Sequence, residues 1–146
     1  MVKFGYTIVY VDHVEKTLHF FNQAFDLPTR FLHESGTYGE LDTGETVLAF
    51  ADRLLGDSHF PDGYVHCGDS EKPLGMEIAL VTDDVVKAHA SALLYGSTEL
   101  KAPQTMPWGA DGLLRALSIG DLNRTVQLHR LTLHMARKRL SPRQQR

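Results

Sequence analysis

The sequence predicts an α+β fold of two βαβββ modules, with the last two strands altered. Three observations carry that prediction. In "YTIVYVDHVEKTLHFFNQAF" (residues 6–25) a β-branched and aromatic run passes directly into helical spacing. The pattern returns 71 residues later in "EIALVTDDVVKAHASALLYG" (77–96), where Asp83, Val85 and Lys87 repeat Asp12, Val14 and Lys16. After Gly109, in "ADGLLRALSIGDLNRTVQLHRLTL", the apolar residues lose any clear period.

The first strand is expected over the run beginning at Tyr6. The helix that follows presents Val14, Leu18, Phe21 and Phe25 on one face, and Asp12 with Glu15 resembles a capping-box start. Three strands follow in "TRFLHES", "YGELDT" and "TVLAFA", separated by Gly36 and Gly44. Module one therefore spans residues 1–50. Residues 51–74, rich in Gly, Asp and Pro, read as a linker. Module two spans 75–130: strand, helix closed by Gly96 as a C-cap glycine, then a strand over "TELKAP". The stretch "TVQLHRLTLHM" suits either state. Val126 and Leu128 alternate with Gln127 and His129, while Leu122, Val126, His129, Leu133 and Leu140 fall roughly on one helical face. The basic residues 131–146 are expected to form a disordered tail.

A chain of 146 residues can bury a core as a single domain, here 1–130. A formal charge of −3 gives no electrostatic case for nucleic acid or an anionic membrane. No apolar run approaches spanning length, and no leader cleavage pattern follows the N-terminus. The single cysteine, Cys67, suits a reducing compartment, so a cytoplasmic protein is expected. No Ser-His-Asp order, phosphate loop or nucleotide fingerprint appears. His59, His66 and Cys67 beside Asp62 and Asp69 lack metal-site spacing. His33 with Glu34 and Glu40 is a candidate polar cluster.

The order of "YTIVYVDHVEKTLHFFNQAFDLPTRF", "YGELDTGETVLAFA", "GMEIALVTDDV" and "PWG" resembles the vicinal oxygen chelate superfamily over residues 2–109. That family includes glyoxalase I, bleomycin-resistance proteins and extradiol dioxygenases. The resemblance implies a cleft between half-barrels, in which metal-dependent members place four ligands on first and last strands. Those positions fall on Tyr6, Ala49 and Glu77, with the fourth near Arg124 to Gln127. One carboxylate does not hold a catalytic divalent ion, so no metal and no other cofactor is expected. Glu77 is the candidate catalytic residue, as a general base or paired with Arg30, because a carboxylate within an apolar strand needs a reason. Tyr6, Phe31, Phe50 and Trp108 are candidates to line an aromatic ligand cleft, with plain core as the alternative. The expected function is metal-independent binding of a small organic ligand. The alternative is a glyoxalase-like lyase, or a dioxygenase-related enzyme with a degenerate site. Relatives of this kind commonly pair, so a homodimer is expected.

The resemblance also explains the break at Gly109. Relatives usually follow "PWG" with Gln-Thr-Val-x-Tyr-Val-Arg, a Pro-x-Gly-Thr turn and a Glu-Leu strand end. Read one base out of register, Ala110 and Asp111 yield Gln. Asp111 through Arg115 then yield Thr, Val, Ser and Tyr, and the next overlaps give Val and Arg. Ser118 yields Pro, Gly120 yields Gly, and Asp121 through Val126 yield Thr-Leu-Ile-Glu-Leu-Cys. A stop codon is available across Leu131 and Thr132. The C-terminal segment thus looks frameshifted.

Overall fold

The computed structural model describes residues 1–72, 74–105, 113–118 and 125–130. Trp108 and the basic segment 131–146 lie outside them. Two four-stranded mixed sheets are present. In the first, β1 (Tyr6–Val11), β2 (Thr29–Leu32), β3 (Tyr38–Leu41) and β4 (Val47–Asp52) lie in the order β1-β4-β3-β2. In the second, β5 (Glu77–Thr82), β6 (Thr98–Thr105), β7 (Leu113–Ser118) and β8 (Thr125–Arg130) lie in the order β5-β8-β7-β6. The first strand of each sheet runs parallel to the last, and the remaining pairs are antiparallel. Among the described residues the helices are α1 (Val14–Phe25), α2 (Arg53–His59) and α3 (Val85–Leu94).

The fold reproduces the internal repeat. Strand β5 begins 71 positions after β1, and α3 begins 71 positions after α1. The sheet register repeats it as well: Ile8 pairs with Ala49 in the first sheet, and its counterpart Ala79 pairs with Gln127 in the second. The ambiguous stretch after residue 124 resolves as strand from Thr125 to Arg130, where pairing on both sides outweighs a weak helical pattern.

The apolar face of α1 was legible in the sequence. Val14, Leu18 and Phe21 are buried, and Phe25 packs against them. They meet the inward side of the first sheet, formed by Val9, Val11, Leu41, Leu48 and Phe50. Gly39 permits the close approach, because a Cβ there would come within 2.5 Å of the Leu18 Cδ1 atom and 3.3 Å of Val14 Cγ1. Module two joins this core through Ile78 and Leu80 of β5. Helix α1 meets α3 across the small residues Ala24, Val85 and Ala92.

The helix ends differ from expectation. Asp12 does not cap α1; His13 holds the N-cap position without a side-chain cap, and Asp12 forms an ion pair with Arg53 instead. In module two the cap falls on Asp84, which accepts a hydrogen bond from the Lys87 amide at 2.9 Å. Gly96 has φ of +101° and follows the α3 C-cap, as a left-handed closing glycine should. The segment expected to be a linker contains α2, capped by the Asp52 carboxylate accepting from the Leu54 amide. No helix among the described residues is long and apolar enough to cross a membrane.

Candidate functional site

Side chains alternate across a strand, so the register alone defines the face of the first sheet turned away from α1. One row carries Tyr10, Ala51 and Tyr38; the next carries Ile8, Ala49, Glu40 and Phe31. Tyr6 lies at the near end of β1, opposite Val47. The middle strand thus contributes methyl groups between taller flanking side chains, and Ala49 and Ala51 are almost completely buried. Tyr6, Ile8 and Phe31 stay 45–52% exposed. Three large apolar side chains left half in water on one face form a surface ready to meet something.

One polar group stands among them. The Tyr38 hydroxyl donates to Glu40 Oε1 at 2.9 Å. Burial, this hydrogen bond and the Glu40 charge, with Tyr6 nearby, push the Tyr38 phenol up to about 12. It therefore stays protonated, and stays a donor, across the physiological range. The second oxygen, Glu40 Oε2, lies 3.8 Å from Arg30 Nε, beyond hydrogen-bond reach. Phe31 flanks the pair, with its ring centroid 6.4 Å from that of Tyr38.

The segment after β4 closes one end of this face. Tyr10 reaches His59 Nδ1 at 3.1 Å, and its ring lies 5.4 Å from Tyr64 and 6.1 Å from Phe60. Arg53 anchors the segment, because its guanidinium holds Asp12 and Asp69, each at 2.6 Å, and its Nε donates to His66. His66 in turn stacks on Tyr64. A shallow crevice beneath is lined by Tyr10, Asp12, Arg53, His66 and Cys67. Arg53→Ala is expected to release this wall without unfolding either sheet. Limited proteolysis should then cut faster between residues 54 and 69, and an unchanged digestion pattern would show that the ion pairs do not hold it.

Several sequence candidates sit elsewhere. Phe50 does not line the open face. It is fully buried, stacked on Phe21 with centroids 5.2 Å apart, because it alternates with Ala49 and faces α1. Glu77 is exposed at the start of β5, so the burial that called for a functional reason is lacking. Arg30 approaches Glu40 rather than Glu77. His33 does not join Glu40; its Nδ1 lies 2.7 Å from the Ser35 hydroxyl. Cys67 is buried within the core. Sequence reasoning missed Tyr38 and Ile8, although period-two alternation in "YGEL" and "YTIVYV" places them on the faces of Glu40 and Tyr6.

A model of the Glyoxalase/Bleomycin resistance protein/Dioxygenase superfamily matches residues 3–112. The chain belongs to that superfamily. Its fold is shared by solved members: a glyoxalase-related enzyme from Fulvimarina pelagi (TM-score 0.71, 14% identity, covering 90% of this chain and 89% of the other); a glyoxalase/bleomycin resistance protein/dioxygenase family enzyme from Burkholderia phytofirmans PsJN (TM-score 0.68, 16% identity, 90% and 100%); and a superfamily member from Sphaerobacter thermophilus (TM-score 0.61, 20% identity, 90% and 98%). At these identities the likeness establishes the fold alone. No curated protein matches the sequence significantly.

Superfamily membership raises the question of a metal, and the donor set answers it poorly. Of the positions that the resemblance assigns to ligands in metal-dependent members, one carries a phenol (Tyr6) and one a methyl group (Ala49). Glu77 is the sole carboxylate. Among the described residues no cluster of three or more His, Cys, Asp or Glu could hold an ion. Glu40, on β3, is held by a phenol and faces a guanidinium, not further donors of metal-ligand type. These residues do not fit a catalytic divalent ion.

Proposed function

We propose that this superfamily member binds a small organic ligand on the open face of its first module, without a catalytic metal, in the manner of a drug-sequestering protein. The observation that carries the proposal is Ala49. At the position where the resemblance places a donor in metal-dependent relatives, this chain has a buried methyl group, with half-exposed Ile8 beside it and half-exposed Tyr6 and Phe31 on the same face. Such a face favours a flat apolar molecule oriented by a few polar groups, here Tyr38 and Glu40. Trp108 is proposed as a further lining residue.

Two measurements test the proposal. Ligand-observed NMR with small aromatic fragments should find binders that compete with one another and weaken by about tenfold in Phe31→Ala, the scale of one apolar side-chain contact. A fragment set with no binder, or with binders indifferent to Phe31→Ala, would sink it. Elemental analysis of protein purified without chelator should find no stoichiometric Zn, Ni, Mn or Fe. One tightly held ion per chain, lost on Glu77→Gln, would overturn the metal-free assignment.

Two further proposals concern the chain itself. We infer that it acts as a homodimer in the cytoplasm, which sedimentation giving a monomer across the micromolar range would refute. We also infer that the reading frame slipped after Gly109. The family model's match ends at Gly112, close to where the displaced codons begin to spell the family's strand sequence.

A further inference from the structure

We propose that the ligand of the open face is an organic cation, an aromatic or apolar molecule with an ammonium head that donates to Glu40 Oε2. This inference rests on the binding function proposed above and names its ligand class.

Glu40 is the more buried member of its ion pair: its side chain is 13% exposed, against 50% for Arg30. Among the described residues its two oxygens are unequally served. Oε1 accepts a 2.9 Å hydrogen bond from Tyr38, whereas Oε2 has Arg30 Nε no closer than 3.8 Å. A largely buried carboxylate gains most from a charge-assisted donor at the under-served oxygen. The register places Phe31 directly beside Glu40, and Tyr38 and Tyr6 flank the same row. Aromatic faces carry negative quadrupole, so rings and carboxylate favour the same sign of ligand charge. An anion reaching for Arg30 would instead meet Glu40 and the ring faces. Arg30 sits at the register shift between Thr29 and Phe31, on the rim, with half its side chain in solvent. It acts as a weak competitor for the carboxylate, which an entering ammonium displaces into water.

Three probes of matched size separate the possibilities: benzylammonium, benzyl alcohol and benzoate, titrated by chemical-shift perturbation against the full chain and two variants. Benzylammonium should bind about tenfold or more tightly than benzyl alcohol, as one charge-assisted hydrogen bond provides. Glu40→Gln should abolish that preference while leaving benzyl alcohol binding in place. Arg30→Gln should strengthen benzylammonium binding, a gain that damage to the fold would not produce. Equal affinity for benzylammonium and benzyl alcohol would overturn the cation assignment and leave the binding face standing. Tightest binding by benzoate, lost in Arg30→Gln, would overturn it in favour of an anion. Absence of binding by all three would overturn both this inference and the function on which it rests.

Discussion

Phe50→Ala is expected to destabilise the protein by about 3–5 kcal/mol, the range for truncating a buried aromatic residue without collapse of the space left behind. Phe50 has no exposed surface and stacks on Phe21, which itself contacts Phe20 and Phe25 at centroid distances of 5.6 and 5.8 Å. The cavity would open where sheet, α1 and β5 meet, so neither module could relax alone. For a domain of this size the melting temperature should fall by roughly 10 °C. Phe31→Ala makes the contrast. Its ring is 45% exposed, and its removal should cost about 1 kcal/mol or less. Thermal unfolding of the pair discriminates cleanly: similar losses in both would mean that Phe31 is core and that the open face is not a binding surface.

The contrast between these two residues is legible in the sequence. Assigning Ala49 to an inward ligand position commits its neighbour Phe50 to the opposite face, because side chains alternate along a strand. Placing both in one cleft was inconsistent within the strand itself. By the same alternation Glu40 carries Tyr38 with it, and Tyr6 carries Ile8. Where periodicity was strong, the sequence and the fold agree: α1 buries Val14, Leu18 and Phe21, and the 71-residue repeat positions β5 and α3. Where one side chain had competing partners, local pattern failed. Asp12 had the spacing of a cap but is held by Arg53, 41 residues away, and a charge-assisted contact of that kind leaves no local trace. Helix α2 was missed for a related reason. Its seven residues include Gly56, Asp57 and Ser58, too short and too poor in helix formers to show a period. It is held in place by the Asp52 cap and by Tyr64, whose hydroxyl donates to the Arg53 carbonyl.

Restoring the reading frame is expected to raise the melting temperature. Deleting one base after the Gly109 codon would exchange the present sequence from 110 onward for the family's Gln-Thr-Val-x-Tyr-Val-Arg strand, its turn and its Glu-Leu strand end. The existing β7 and β8 do pair, and β8 lies parallel to β5 from Glu77↔Thr125 to Thr82↔Arg130. Pairing, however, fixes only the backbone. Which side chains meet the core depends on parity, and a sequence displaced in frame, as proposed for this one, would not have been selected for it; a one-residue error turns apolar groups to solvent. Pairing of β6 with β7 already shifts register twice, between Glu99 and Lys101 and between Lys101 and Gln104. A strand pair with restored parity should contribute about 2–3 kcal/mol, the scale of burying one or two more large apolar side chains, and so raise the melting temperature by roughly 5–10 °C. A melting temperature equal to that of the present protein would mean that its strands satisfy the second sheet as well as the family's do, and the frame slip would then have no physical consequence for the fold.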